Sequence, residues 1–106
     1  MNHRLAAEFD AKRSSLAALC VKHGVSRLEL FGSGTTDAWS ETTSDLDFIV
    51  TFRTDHVMGL SDRYIDLADD LEMLFRRPVD LITPASIRNP YFREAVNASR
   101  AQVYAE

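Results

Sequence analysis

The chain has 106 residues, of which 45% are hydrophobic, 9% aromatic and 26% charged, with a formal net charge of −4 and a pI near 5.3. That length suits one compact domain spanning 1–106, and an ordinary charge fraction argues against a disordered or fibrous chain. The acidic balance argues against a general nucleic-acid binder, because neutralising phosphates needs clustered Lys and Arg; no direct nucleic-acid contact is expected.

Cys20 is the sole cysteine. It permits neither an intramolecular disulfide nor a thiolate zinc cluster, and a reducing cytoplasm is the expected setting. The stretch MNHRLAAEFDAKRSSLAALC scatters charges among its apolar positions. It lacks a secretory core, and no segment reaches the roughly eighteen uninterrupted apolar residues of a membrane span. Neither export nor a membrane partner is expected.

Leu5, Phe9, Leu16, Leu19, Cys20 and His23 recur at steps of three, four and seven, which predicts one amphipathic helix over 4–23, capped by Gly24. Arg27 to Phe31 alternates polar and apolar with Leu28 and Leu30 on one side, a short strand ended by Gly32-Ser33-Gly34. Residues 34–44 have loop composition around Trp39, with TTDAWS able to form a helical turn. LDFIVTF, Leu46 to Phe52, is β-branched and aromatic and predicts a central strand. After a loop over 53–60, Ser61 is the expected N-cap of a second long helix. Its apolar face is Tyr64, Ile65, Leu67, Ala68, Leu71, Leu74 and Phe75, with Arg76 and Arg77 compensating the dipole at its end. Pro78 stops it, and Val79 to Thr83 predicts a third strand. Pro84 and Pro90 bracket a loop, and Tyr91 to Tyr104 is expected to close the chain as one or two helical turns packed through Phe92, Ala95, Val96 and Val103.

Two of these strands carry acids inside apolar runs. Successive strand side chains point to opposite faces, so Asp45 and Asp47 share one face while Leu46 and Phe48 take the other. At about 4 Å their repulsion is roughly 1 kcal/mol in water and about 4 at an effective dielectric of 20. It must be offset by a cation, a shared proton or full solvation, and a divalent metal does so best. Carboxylates without nearby thiolate or imidazole favour Mg²⁺, which takes one or two carboxylates plus substrate phosphates. Gly32 and Ser33, directly after a strand, let backbone N–H groups and a hydroxyl approach a phosphate chain. Asp80, with Val79 and Leu81 facing away, is expected to point into the same cleft.

Each piece alone has a plain structural role: Asp45 as a turn residue, Asp47 or Asp80 as a solvated strand residue, Gly32-Ser33 as a turn, Ser44 as a cap. It is their combination that carries the chemistry. His3, His23 and His56 show no ligand spacing and are assigned to the surface or to helix ends. Trp39, Tyr91 and Phe92 are assigned to packing or a partner surface, and Cys20 to inert core.

FGS, a loop, SDLDFIV, a helix, then RRPVDLI resembles the minimal nucleotidyltransferases of the DNA polymerase β superfamily, and the tail PASIRNPYFREAVNASRAQVYAE is similar to their final segment. The resemblance implies an α/β (α+β) fold, a small mixed sheet flanked by helices. It implies that Asp45 and Asp47 bind Mg²⁺, that Asp80 completes the site or deprotonates the acceptor hydroxyl, and that Gly32 and Ser33 hold the β- and γ-phosphates of ATP or another NTP. The implied reaction is NMP transfer, and the implied role is antitoxin of a HEPN-domain toxin, alone or in a homo- or hetero-oligomer. The family's usual Gly-Ser-x-Ala-Arg-Gly loop reads here Gly32-Ser33-Gly34-Thr35-Thr36-Asp37. That departure leaves a binding-only antitoxin as the alternative, beside a catalytic subunit of a two-component nucleotidyltransferase.

Overall fold

The computed structural model describes residues 2–35, 45–53 and 60–106, the side chains of Ser33, Leu60 and Ser61 excepted. Thr36, Asp37, Trp39, Ser44 and His56, for which the sequence raises expectations, lie outside the described residues. In chain order the elements are α1 (His3–Ala11), α2 (Arg13–Lys22), β1 (Val25–Phe31), a short 3-10 turn (Gly32–Thr35), β2 (Leu46–Phe52), α3 (Leu60–Phe75), β3 (Val79–Ile82), a second 3-10 turn (Pro84–Ser86), α4 (Pro90–Ser99) and β4 (Ala101–Ala105). The strands form one mixed sheet in the order β3-β2-β1-β4. β1 runs antiparallel to β2 and β4, and β2 pairs in parallel with β3 across the α3 connection. This is the expected small mixed sheet flanked by helices.

Strand alternation divides the apolar residues between two layers. Leu28, Leu30, Leu46, Phe48, Val50 and Leu81 pack with Leu5 and Phe9 of α1, Leu16 and Cys20 of α2, and Leu67, Leu71 and Phe75 of α3. Phe9 centres this layer, its ring 4.8 Å from Phe75 and 6.1 Å edge-on to Phe48. Phe31, Ile49, Ile87 and Val96 form a smaller cluster under α4 on the opposite side. The residues of β2 and β3 that skip the main core, Asp47 and Asp80, belong to this second side.

The single helix expected over 4–23 is two helices broken at Lys12, whose backbone (φ −105, ψ 12) is not helical. The Lys12 ammonium donates to the Leu74 carbonyl at 2.9 Å and sits 5.2 Å from the Phe75 ring centre. The break thus lets the two short helices fold around the end of α3. Gly24 ends α2 with φ +67, the left-handed cap its position predicts. His23, just before it, is 5% exposed and its Nε2 lies 2.6 Å from Asp70 Oδ2 of α3. This is the helix-end role expected for it.

Three other expectations change. Ser61 lies inside α3, one residue past its start, rather than capping it. Ile65 is 58% exposed, off the buried face set by Leu67, Leu71 and Phe75. Arg77 pairs with Glu8 of α1 through both guanidinium nitrogens instead of serving the helix dipole. Cys20 is fully buried, and burial pushes its thiol up to about 12, in keeping with an inert core residue.

The end of the chain departs most. After α4, residues 101–105 form a fourth strand beside β1 instead of continuing as helical turns, and Phe92 is 43% exposed. The register slips between Leu28↔Tyr104 and Glu29↔Gln102, leaving Val103 as an extra residue of a bulge. Val103 and Tyr104 therefore both pack on the main core, although they are neighbours in sequence. Among the described residues no helix is long and apolar enough to cross a membrane.

Candidate active site

Asp47 is the second residue of β2. Its register partner on β1 is Phe31 and on β3 is Asp80, so Asp47 and Asp80 leave the same face of the sheet side by side. Asp45 is exposed immediately before β2, and Asp80 is exposed on the border strand. The Asp47 carboxyl is held above the usual carboxylate range by burial first, then by the charge of Asp80, then by that of Asp45. Asp80 and Asp45 both bear on Asp47, which stands across from the first and two residues beyond the second.

Gly32 closes this cluster from β1. It follows Phe31, so the chain turns away directly beside Asp47, and its φ of +76 is the left-handed conformation that side chains disfavour. A Cβ built there would lie 2.6 Å from Asp47 Oδ2. Glycine is thus required both by the turn and by the carboxylate. Ser33 continues the turn in the 3-10 segment. The Gly32 N–H donates to Ser99 Oγ of α4 at 3.1 Å, and the Thr35 hydroxyl donates to the Gly32 carbonyl at 2.8 Å.

A third strand acid, Glu29, also points to this side and carried no assignment, although LELF has the same signature as LDF and VDL. It is 8% exposed and is answered by Arg100, whose Nε and second guanidinium nitrogen donate to its two carboxylate oxygens at 2.8 and 2.7 Å. Among the described residues no cation plays that part for Asp47 or Asp80. The difference separates a structural acid from acids left facing one another.

The donor chemistry of Asp45, Asp47 and Asp80 suits a hard divalent cation, whose charge relieves the crowding that raises Asp47. Among the described residues no group of three His, Cys, Asp or Glu side chains is gathered closely enough to hold a metal ion by itself. An ion that takes one or two carboxylates and fills its remaining positions from substrate oxygens and water needs no such group. A groove of about 660 Å³ lies elsewhere, between α1, α2 and β4, lined by Phe9, Leu16 and Tyr104 among others. It contains none of these acids.

Comparison with known proteins identifies the family and the fold. The nucleotidyltransferase domain family matches residues 12–101. The putative protein adenylyltransferase of Methanocaldococcus jannaschii is 36% identical over 75 residues, covering 71% of this chain and 73% of that protein. Among solved structures, a putative minimal nucleotidyltransferase superposes with a TM-score of 0.68 at 27% identity, over 95% of each chain. The Shewanella oneidensis complex of a tri-AMPylated HEPN toxin with its MNT antitoxin shares the fold, with a TM-score of 0.60 at 17% identity, over 92% of this chain and 73% of that one.

Proposed function

The chain belongs to the nucleotidyltransferase domain family, and from that premise we propose that it transfers AMP from ATP to a hydroxyl of a partner protein, as the antitoxin of a HEPN-domain toxin. The observation that carries the reading is the register of Asp80 against Asp47 beneath the Gly32 turn. Asp45 and Asp47 would hold Mg²⁺, and Asp80 would complete its coordination or take the acceptor proton. Bound there, the ion neutralises charge on the triphosphate. The Gly32-Ser33 turn receives the β- and γ-phosphates. The acceptor oxygen attacks the α-phosphorus, its proton passes to a carboxylate, and the bond to the β-phosphate breaks with its electron pair leaving on pyrophosphate. The residues mainly position and neutralise, as in other phosphoryl-group chemistry.

The acceptor class is supported by the name of the archaeal relative and by the AMP-modified toxin of the Shewanella oneidensis complex. One observation favours a second reading, a binding-only antitoxin: the turn lacks the family's arginine, and the Gly32 N–H is engaged by Ser99. Mass spectrometry of the neighbouring toxin after incubation with this protein, ATP and Mg²⁺ separates the two. The expected result is an AMP adduct, lost in Asp45→Asn and Asp47→Asn. Neutralised toxin with no change in mass selects the binding-only reading, and an undiminished adduct with both variants overturns the site assignment.

A further inference from the structure

Gly32 is held at both of its backbone polar groups, by Ser99 at the N–H and by Thr35 at the carbonyl. Thr35 is local. Ser99 reaches from 67 positions away, at the last residue of α4. The Ser99 hydroxyl hydrogen is directed to the carbonyl of Ala95 at 3.2 Å or Val96 at 3.4 Å, which leaves an oxygen lone pair for Gly32. The next residue, Arg100, is clamped to Glu29 of β1. The end of α4 is therefore fixed to the sheet on one side of Ser99, and Ser99 passes that constraint to the turn. Clearance between Gly32 and Asp47 is already too small for a methyl group, so a small displacement of the turn changes how it sits over the carboxylate.

We propose that Ser99 is a positioning residue of the nucleotide site, setting the height of the Gly32-Ser33 turn above Asp47 through the Gly32 N–H. The proposal rests on the reading that this turn receives the triphosphate. It also assigns the donors: the Gly32 amide serves α4, and the phosphate oxygens are met by the amides that follow it.

The test compares Ser99→Ala, which removes the acceptor, with Ser99→Thr, which keeps a hydroxyl. Three quantities are measured on the intact chain: titration of a fluorescent ATP analogue with Mg²⁺, hydrogen exchange of the Gly32 amide by NMR, and thermal unfolding. Ser99→Ala is expected to weaken analogue binding about threefold to tenfold, the range for one neutral hydrogen bond. It is also expected to speed Gly32 exchange and to lower the unfolding midpoint by only the few degrees that one lost hydrogen bond accounts for, with Ser99→Thr restoring binding and protection. Wild-type affinity in Ser99→Ala overturns the positioning role while the functional reading stands. A wild-type chain that takes up no ATP analogue overturns both, and Gly32 exchange then reports separately whether Ser99 holds the turn.

Discussion

Asp80 stands directly across from Asp47 in the parallel ladder, so two carboxylates that would each be stable in water face one another, with Asp45 beside them. Burial and these neighbours raise the Asp47 carboxyl. The folded protein therefore binds a proton there at pH values where the unfolded chain, with a carboxylate near about 3.9, has lost it. The contribution of this group to stability falls as pH rises from about 4 through the raised value and is level above it. Asp47→Asn should unfold at a higher temperature than wild type at pH 7 in the presence of chelator, with the gap closing below about pH 4. The same substitution should abolish AMP transfer. Calorimetry across pH checks the first statement, and a Tm below wild type at neutral pH would contradict it.

Gly32→Ala introduces a Cβ at 2.6 Å from Asp47 Oδ2 in a left-handed turn. The conformation alone costs about 1–2 kcal/mol, and relief of the clash requires the carboxylate to move. The expected outcome is a less stable protein whose nucleotide binding falls further than its stability explains. Denaturant unfolding and ATP titration on the same sample distinguish the two effects.

Glu29 is 8% exposed with Arg100 in place, and removing Arg100 leaves a largely buried carboxylate without its guanidinium partner. Arg100→Ala should cost about 2–3 kcal/mol, below the full range for a broken buried ion pair because the Arg100 side chain is itself 32% exposed. Arg100→Ala combined with Glu29→Gln should recover part of that loss, since the stranded charge is removed. Urea unfolding of the single and double variants measures the coupling.

The His23–Asp70 contact gives the opposite pH behaviour from Asp47. The hydrogen bond from His23 lowers the Asp70 carboxyl, against an opposing effect of burial, and Lys22 lowers it further. An ionised carboxylate only accepts, so Nε2 of His23 carries the hydrogen. This stabilisation is present above the unfolded carboxylate value of about 3.9 and is lost as pH falls through the lowered folded value. Asp70→Asn should be about 1–2 kcal/mol less stable than wild type at pH 7, and the difference should vanish in acid.

The carboxylate pair was legible because an acid inside VDLI or LDFIV breaks an otherwise apolar run, and period-two alternation then fixes its face. β2 was legible to the residue because LDFIVTF is β-branched and aromatic throughout. β4 was not: its bulge turns the adjacent Val103 and Tyr104 to one side, which erases the alternation a strand is recognised by. Ser99 carried no signal at all, since a serine near a helix end is common and its partner is 67 residues away. Glu29 did carry the signal, but nothing in the sequence tells an acid neutralised by a distant Arg100 from one left exposed to Asp80. Ile65 lies off the buried face by helix geometry, pointing about 120° away from the line of Leu67, Leu71 and Phe75, while Arg63, 6% exposed and 4.8 Å from the Phe52 ring centre, covers the inner side of the first turn of α3.

The break at Lys12 is dictated from the far half of the molecule. Its ammonium finds its carbonyl and its aromatic ring in the final turn of the crossover helix, and the pieces on either side, nine and ten residues long, are too short to persist alone in water. A peptide cut from the beginning of this chain would not keep the bend, and any rebuilding around Leu74 and Phe75 would re-aim the chain's first helix.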